Sequence, residues 1–324
     1  MSRPVIDRTV SLVVTVALAA ATAAFAIGDR RYGWTVFVSI PFFLGFFPAA
    51  LLRITGPKPW RDCLRLTIGT VLLLSTGFLV FRAEGLICLL LVVPLGLPVA
   101  IFGAFMGYLL LHKTATMPPV GAATLVVIGL ATSLLAEMRQ RQAPTYVVSN
   151  SIDIAAPPSI VWPALIHMGD LGPPTDLLFK LGVACPQRVD IYGNGVGAMR
   201  VCTLTTGQLH EKIIDWKPER RMAWISVTTP APLKELNPFG KTDPPHLHGF
   251  YKSVGGHFTL TPIGSDSTRV TRSSSYQHNM YPAYYWRLWC DYVARRGHMH
   301  VLNVLREDAE HGVRLAVDTG HETR

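Results

Sequence analysis

The chain has 324 residues, of which 49% are hydrophobic, and a formal net charge of +9. Residues 1–144 hold 12 Lys and Arg against 5 Asp and Glu, whereas residues 145–324 hold 18 against 16. The positive excess therefore lies in short segments between apolar runs, where anionic lipid headgroups favour cations, and not in a basic domain of the kind that binds nucleic acid. We expect membrane lipids, and no nucleic acid, as partners.

Five apolar runs precede Arg139, and each is close to the ~20 residues that a helix needs to cross a bilayer core of about 30 Å. They are Val10–Ile27, Trp34–Ile54, Leu64–Phe81, Gly85–Leu111 and Val120–Ala136. Residues 1–140 are therefore predicted to form an all-α transmembrane domain of four to five helices. The chain is expected to be an integral protein of a bacterial cytoplasmic membrane.

The number of spans decides which side the rest of the chain faces, and it stays open. With five spans, the side of the N-terminus collects seven Lys and Arg and the other side five, which places residues after 144 outside the cytoplasm. Gly85–Leu111 is long for one span and contains Pro94 and Pro98, so a re-entrant segment there would give four spans and the opposite side. Of the five cysteines, Cys185, Cys202 and Cys290 lie after residue 144, cannot all pair with one another and lack CxxC spacing. These three are predicted to be free thiols, with disulfides as the lesser alternative, and free thiols are typical of a reducing compartment.

One carboxylate, Glu84, lies near the middle of the hydrophobic block. Acids inside a membrane are often functional. Arg82 is only two residues away, and both side chains can reach the interface from a tight hairpin turn. We therefore favour a structural role for Glu84.

After Pro144 the sequence changes to strand-like alternation of apolar and polar residues. A strand at Thr145–Ala155 precedes two short helices, Ile160–His167 and Thr175–Val183. Six more strands are predicted at Arg188–Tyr192, Ala198–Thr205, Leu209–Trp216, Met222–Thr229, Lys252–Pro262 and Thr268–Tyr276. One long helix runs from Pro282 to about His311, and residues 312–324 are predicted to be a flexible tail.

Residues 145–311 resemble the START-like, polyketide-cyclase-like superfamily called SRPBCC. The resemblance is carried by the order of four features: IAAPPSIVW from Ile154, GVGAMR from Gly195, DWKPER from Asp215 and the long helix after Tyr281-Pro282. It implies an α+β helix-grip fold, in which a curved antiparallel sheet wraps a long C-terminal helix around an apolar cavity. Family members use this cavity for lipids, sterols, aromatic polyketides or plant hormones, and a minority are catalytic. Fused membrane spans depart from the single-domain members.

Strand parity indicates which side chains face the concave side of such a sheet. If Thr206-Gly207 is a two-residue hairpin turn, Cys202 lies opposite Glu211, and Arg200 lies diagonal to Glu211 within salt-bridge reach. Such a buried pair is either a structural staple, which we favour slightly, or a ligand anchor. Arg272 shares its parity with Tyr276 and is a second candidate inward cation.

The long helix carries an aromatic stripe that includes Trp289 and Tyr292, most of which is expected to pack on the sheet. The candidate ligand-binding residues are thus Arg200, Cys202, Glu211, Arg272, Tyr276, Trp289 and Tyr292. No catalytic residue is assigned.

Other motifs point away from metals and cofactors. His246-Leu247-His248 lacks accompanying ligands at metal-site spacing and is predicted to consist of hydrogen-bonded loop histidines. The sequence has no GxSxG, Walker or dinucleotide fingerprint, so no cofactor is expected. The long Pro-rich connection Pro230–Gly249 contains Leu233, Leu236 and Phe239, and it is predicted to be a lid or a membrane-facing flap.

These features predict membrane-tethered binding of an apolar small molecule, lipid-like, isoprenoid or aromatic, in a helix-grip cavity. Two alternatives stay open. One is a cyclase or dehydratase acting on such a ligand through Arg200, Glu211 and Tyr276. The other is a regulatory membrane protein whose cavity is filled by its own side chains.

Overall fold

The computed structural model describes residues 33–54, 58–113 and 143–321, together with residues 128, 129, 132 and 135. The chain divides into two compact units. The helical unit contains Met1–Gln142, Glu235–His246 and Asn279–Tyr285. The sheet unit contains Ala143–Lys234, Leu247–His278 and Trp286–Arg324. Two short segments from residues 145–311, the predicted helix-grip region, therefore belong to the helical unit.

Three helices form the described core of the helical unit. A π-helical turn, Thr35–Ser39, leads into α1 (Ile40–Ile54), which is followed by α2 (Trp60–Val80) and α3 (Leu86–Lys113). Trp60–Val80 and Leu86–Leu109 are long and apolar enough to cross a membrane by length and composition. The predicted span Val10–Ile27, and all but four residues of Val120–Ala136, lie outside the described residues.

Helix α3 is continuous through both of its prolines, so the break considered at Pro94 and Pro98 is not found. A proline removes one backbone N–H, and two prolines four residues apart lie on the same face, which confines the lost hydrogen bonds to one side of the helix. Helices α1 and α3 approach closely at Gly103 and Gly107. A Cβ on Gly103 would lie 2.0 Å from the carbonyl oxygen of Phe42.

The sheet unit contains one antiparallel sheet of eight strands. They are β1 (Thr145–Ile154), β2 (Gly169–Asp170), β3 (Pro186–Tyr192), β4 (Met199–Leu204), β5 (Gly207–Lys217), β6 (Arg221–Ser226), β7 (Tyr251–Pro262) and β8 (Thr268–His278). The spatial order is β1-β8-β7-β6-β5-β4-β3-β2, so only β1 joins out of sequence order. The short strand β2 was not predicted, because two residues are too few to show alternation.

Two short helices and one long helix complete this part of the chain. Helix α4 (Pro158–Ile166) begins with proline, and α5 (Leu177–Lys180) is capped by Asp176, whose carboxylate accepts a 3.0 Å hydrogen bond from the N–H of Leu178. Helix α6 (Ala283–His321) runs to His321 rather than ending near His311. Nothing after Gly312 stops it, because the following Val, Arg, Leu and Ala residues tolerate a helix.

The core of the sheet unit lies between one face of the sheet and helices α4 and α6. Phe258 and Ile213 on the sheet are fully buried against Leu302 and Leu305 of α6. We call this covered side of the sheet the inner face. The antiparallel sheet and its long C-terminal helix agree with the helix-grip fold implied by the sequence resemblance.

Candidate functional site

The hairpin between β4 and β5 brings Arg200 and Glu211 directly opposite each other. The predicted diagonal placement is therefore wrong. Leu204 pairs with Gly207, so the two turn residues are Thr205 and Thr206, one position earlier than predicted. This error shifts the pairing by two residues and preserves parity, so Arg200, Cys202 and Glu211 still share one face.

Arg200 and Glu211 form a fully buried ion pair through Nη1 and Oε2. The guanidinium also lies over the ring of Trp224, 4.4 Å from its centroid. Its Nε and Nη2 atoms have no hydrogen-bond acceptor among the described residues. Burial raises the pKa of the Glu211 carboxyl, whereas the guanidinium groups of Arg200 and Arg272 oppose the rise.

Arg272 is a second buried cation on the inner face, as parity predicted. Its guanidinium lies 5.6 Å from the ring centroid of Phe258, and its Nε and Nη1 atoms have no acceptor in the described part of the chain. Burial, followed by repulsion from Arg200, lowers the pKa of Arg272 to about 10. Two guanidinium groups and one carboxylate thus share an apolar surface, with an excess of positive charge.

His298 on α6 joins this group, and the sequence interpretation missed it. Its Nδ1 lies 3.1 Å from Oδ1 of Asn150 on β1, and its Nε2 lies 2.8 Å from Oγ of Ser274 on β8. Burial, and then Arg272 and Arg295, hold the pKa of this imidazole well below its ordinary value, so the ring is neutral. The available signal was its spacing of four and seven residues from Leu302 and Leu305, which places His298 on the buried stripe.

Tyr276 and Cys202 are also buried on the inner face. The Tyr276 hydroxyl donates a 2.5 Å hydrogen bond to Oδ1 of Asp291 on α6, and its ring stacks with Tyr251 at a centroid distance of 5.5 Å. Burial raises the pKa values of both Tyr276 and Cys202. Cys185, Cys202 and Cys290 are free thiols, as predicted, and so are Cys63 and Cys88.

The two aromatic candidates on α6 differ from the strand residues. Trp289 is half-buried, and Tyr292 is 43% exposed. The Tyr292 ring contacts Arg296, whose guanidinium lies 5.5 Å from its centroid. The structure therefore gathers Arg200, Cys202, Glu211, Arg272 and Tyr276 on the inner face, while Tyr292 lies largely in the open.

A second group of titratable side chains lies in the helical unit. Cys88 Sγ and His246 Nε2 are 2.9 Å apart, and His246 Nδ1 lies 3.5 Å from Glu84 Oε1. Burial, and then the nearby Glu235, raise the pKa of Glu84 to about 8. The predicted loop histidine His246 is thus half-buried beside a thiol and a carboxylate, which no local sequence pattern could indicate because its neighbours lie about 160 residues earlier.

The flap residues divide between the two units. Leu233 is buried in the sheet unit, where it bridges to Val183. Leu236 and Phe239 belong to the helical unit and are 43% and 54% exposed. The backbone carbonyl of Leu236 accepts a 2.8 Å hydrogen bond from the N–H of Leu86. The connection is therefore an ordered part of the helical unit between Glu235 and His246.

Comparison with known proteins finds similarity in structure only. No family model and no curated protein sequence matches the chain. The Zhui aromatase/cyclase from Streptomyces sp. R1128 aligns with a TM-score of 0.39 and 16% identity, over 53% of this chain and 98% of that chain. A norcoclaurine synthase from Thalictrum flavum aligns with a TM-score of 0.33 and 15% identity, over 52% and 97%. The helix-grip assignment rests on strand order and the long helix, since likenesses this distant carry no functional inference.

Proposed function

We propose that the inner face of the sheet unit binds a small molecule with an apolar body and an acidic or oxygen-rich head. The main support for this proposal is a pair of buried guanidinium groups. In each of them, Nε and one Nη atom have no hydrogen-bond acceptor among the described residues. A buried donor left without an acceptor costs about 1–3 kcal/mol, and more when it is charged. A ligand whose carboxylate, phosphate or enolate oxygens lay between Arg200 and Arg272 would accept hydrogen bonds from these donors.

The apolar surroundings support an apolar body for this ligand. The inner face carries Phe258, Trp224 and Ile213 beside the charged groups. An apolar surface with a few polar groups at defined positions is the usual composition of a small-molecule site. Glu211 is the one carboxyl group that acts on both arginines, so a net positive charge remains, which favours an anionic head over a neutral one.

We also propose that the helical unit lies in a membrane and supplies the apolar ligand from it. In each of the two long helices, only 22% of an apolar stretch of 18 residues is buried within the protein. Large apolar side chains are instead exposed, among them Leu72, Phe81, Leu90 and Phe102. The close approach of α1 and α3 at Gly103 and Gly107 follows the small-xxx-small pattern that membrane helices favour.

The test compares two arginines of strand β8. In the full-length protein in detergent, we measure binding of a fluorescent long-chain carboxylic acid and of its methyl ester. Arg272→Gln should weaken binding of the acid about tenfold or more, the size of a lost charge-assisted hydrogen bond, and leave the ester within about threefold.

Arg269→Gln is the matched control, because Arg269 lies on the same strand but pairs with Asp153 at the exposed face. It should bind both probes as the native chain does. The proposal is wrong if the native chain binds neither probe, or if Arg272→Gln weakens the acid and the ester equally, since that result would indicate lost packing only.

A cyclase or dehydratase is the second candidate function. It is favoured by the convergence of Arg200, Glu211 and His298 around Arg272, whose charge acts on all three. The neutral imidazole could exchange a proton with a bound ligand that replaced Asn150 or Ser274 as a hydrogen-bond partner of one ring nitrogen. The check is dehydration of a β-hydroxy ketone to its enone, followed by ultraviolet absorbance. Turnover that His298→Gln abolishes would establish an enzyme, and its absence would leave binding as the function.

A further inference from the structure

Three potential metal ligands from distant parts of the chain meet in the helical unit. Glu84 lies in the turn between α2 and α3, Cys88 in the first turn of α3, and His246 in the short 3₁₀ turn Pro245–Leu247. One carboxylate oxygen, the thiol sulfur and one ring nitrogen all lie within 4.8 Å of one another. Tetrahedral zinc holds its S, N and O ligand atoms roughly 3.3–3.7 Å apart, given bonds of about 2.0–2.3 Å.

The cluster is rich in buried acidic groups. Oε2 of Glu84 is buried without a hydrogen-bond partner among the described residues. A second carboxylate, Glu235, accepts hydrogen bonds from the N–H groups of Ile87 and Cys88, at 3.1 and 2.9 Å. Neither carboxylate forms an ion pair with Lys or Arg in the part of the chain that the structure describes. Burying two carboxyl groups beside a thiol is costly when the imidazole of His246 is the one neighbouring group among the described residues that can become a cation.

The same three residues could suggest a Cys-His-Glu nucleophilic triad, but the charges oppose it. A nucleophilic cysteine needs a thiolate stabilised by positive charge or by free N–H groups at a helix N-terminus. Here the N–H groups of Ile87 and Cys88 are already bonded to Glu235. A thiolate at Cys88 would have the imidazole of His246 beside it but would also face two carboxyl groups, and the single charge of an imidazolium would have to be shared among all three, whereas a divalent cation would compensate them better.

We propose that Glu84, Cys88 and His246 bind one divalent transition-metal ion, for which Zn²⁺ is the best match. Thiolate, imidazole and carboxylate are all ordinary zinc ligands, whereas magnesium and calcium require oxygen ligands. Three protein ligands leave a fourth position for water or another donor. Glu235 acts as a positioning residue, because its hydrogen bonds fix the first turn of α3 and hence the Cys88 side chain.

The ion would fasten the segment Glu235–His246 to the α2–α3 hairpin. That segment already makes polar contacts with the hairpin: the Asn237 amide donates to the carbonyl oxygens of Leu79 and Glu84, each at 3.0 Å. Gly85 fits closely beside this segment, because a Cβ there would lie 1.9 Å from the Glu235 carboxylate. The segment and the hairpin are already in contact. A metal bound by Glu84, Cys88 and His246 would strengthen this contact whenever the metal is present.

The test uses the full-length, untagged protein in detergent, with Zn²⁺ and Co²⁺ as the probes. We expect one equivalent of Zn²⁺ per chain by elemental analysis, and a thiolate-to-cobalt charge-transfer band with Co²⁺. Cys88→Ser should remove that band. Cys88→Ser, His246→Gln and Glu84→Gln should each weaken zinc binding by about 100-fold or more, beyond the 10–100-fold typical of groups that only support a ligand.

Matched controls are Cys63→Ser, a buried cysteine of α2, and His248→Gln, the neighbouring exposed histidine. Both should keep the band and bind zinc within about threefold of the native chain. The proposal is overturned if native protein with Co²⁺ gives no charge-transfer band, a result that needs no variant to fold. It is also overturned if the three ligand variants, melting as the chelated native chain does, bind zinc with native affinity.

Discussion

The buried guanidinium of Arg200 makes a charged contact with Glu211 and an aromatic contact with Trp224. A buried ion pair adds little net stability relative to apolar residues, since desolvation offsets the attraction. Removing one partner is different, because an uncompensated charge stays in the core. The pair therefore acts mainly as a constraint on the β4–β5 register, and Arg200 keeps two further donors for a ligand.

This asymmetry predicts the result of a double-mutant cycle. Arg200→Ala and Glu211→Ala should each destabilise the sheet unit by about 3–5 kcal/mol, and the double variant should lose clearly less than the sum. Urea unfolding followed by tryptophan fluorescence measures this coupling. The exposed pair Arg269 and Asp153 is the control and should show a much weaker coupling. Strict additivity at Arg200 and Glu211 would mean that the two side chains do not interact.

His298 predicts a pH dependence with a definite sign. Its pKa in the folded protein is far below the ~6.5 of an unfolded chain, so below about pH 6.5 the unfolded state binds a proton that the folded state does not. Stability from this residue is therefore complete above pH 6.5 and falls as pH falls, by at most about 1.4 kcal/mol per pH unit.

The check on His298 is the slope of unfolding free energy against pH between 6.5 and 5. His298→Gln should be less stable at pH 7, because it loses the fit to Asn150 and Ser274, but its slope should be shallower than that of the native chain. His248→Gln, at an exposed loop position, should keep the native slope. A variant of His298 with an unchanged slope would show that another group titrates.

At the scale of elements, the sequence predicted the strand face of each side chain correctly but did not predict which residues pair across the strands. Alternation along β4 and β8 correctly placed Arg200, Cys202, Arg272 and Tyr276 on the inner face, because the side-chain period of a strand is two whatever its partner. The turn was placed one residue too late, since Thr205-Thr206 lacks the Gly or Asn that marks tight hairpins. Direct pairing of Arg200 with Glu211 could be seen only in the structure.

Contacts between distant segments were beyond sequence reasoning for a physical reason. His246 and Glu235 belong to a Pro-rich connection with no periodicity, so nothing in the local pattern says which surface it packs on. The sequence interpretation also missed His298, although its spacing to Leu302 indicated burial. The alternating and helical periods predict faces, whereas a site assembled from three segments depends on tertiary placement.

The contact of α1 with α3 gives an element-scale prediction. Gly103→Ala would place a Cβ 2.0 Å from the Phe42 carbonyl oxygen, so the backbones must separate, and we expect a loss of about 1–3 kcal/mol in the helical unit. Gly77→Ala on α2 is the control, because nothing lies within 4 Å of its Cβ and alanine favours a helix by up to about 1 kcal/mol. Unfolding in mixed detergent micelles should give opposite signs, and equal effects would contradict this packing.

At the scale of the whole molecule, chain order and compact units do not coincide. The sheet unit is interrupted twice, by Glu235–His246 between β6 and β7 and by Asn279–Tyr285 before most of α6. The sheet does not depend on the first interruption for its pairing, because β6 and β7 pair from Arg221 opposite Thr259 to Ile225 opposite Gly255. The inserted segment instead makes its polar contacts with the α2–α3 hairpin.

This arrangement predicts that the sheet unit folds alone and tolerates loss of the first insert. A fragment of residues 143–324, and the same fragment with residues 235–246 replaced by a Gly-Ser linker of equal length, should both be folded by circular dichroism and melt within a few degrees of each other. In the full-length chain the same replacement should destabilise the helical unit, because it removes the Glu235 and Asn237 hydrogen bonds. A linker with reversed insert sequence controls for composition. If the fragment were unfolded while the full-length protein was folded, the two units would not fold independently. If the replacement destabilised the fragment but left the stability of the helical unit unchanged, the insert would belong to the sheet unit instead.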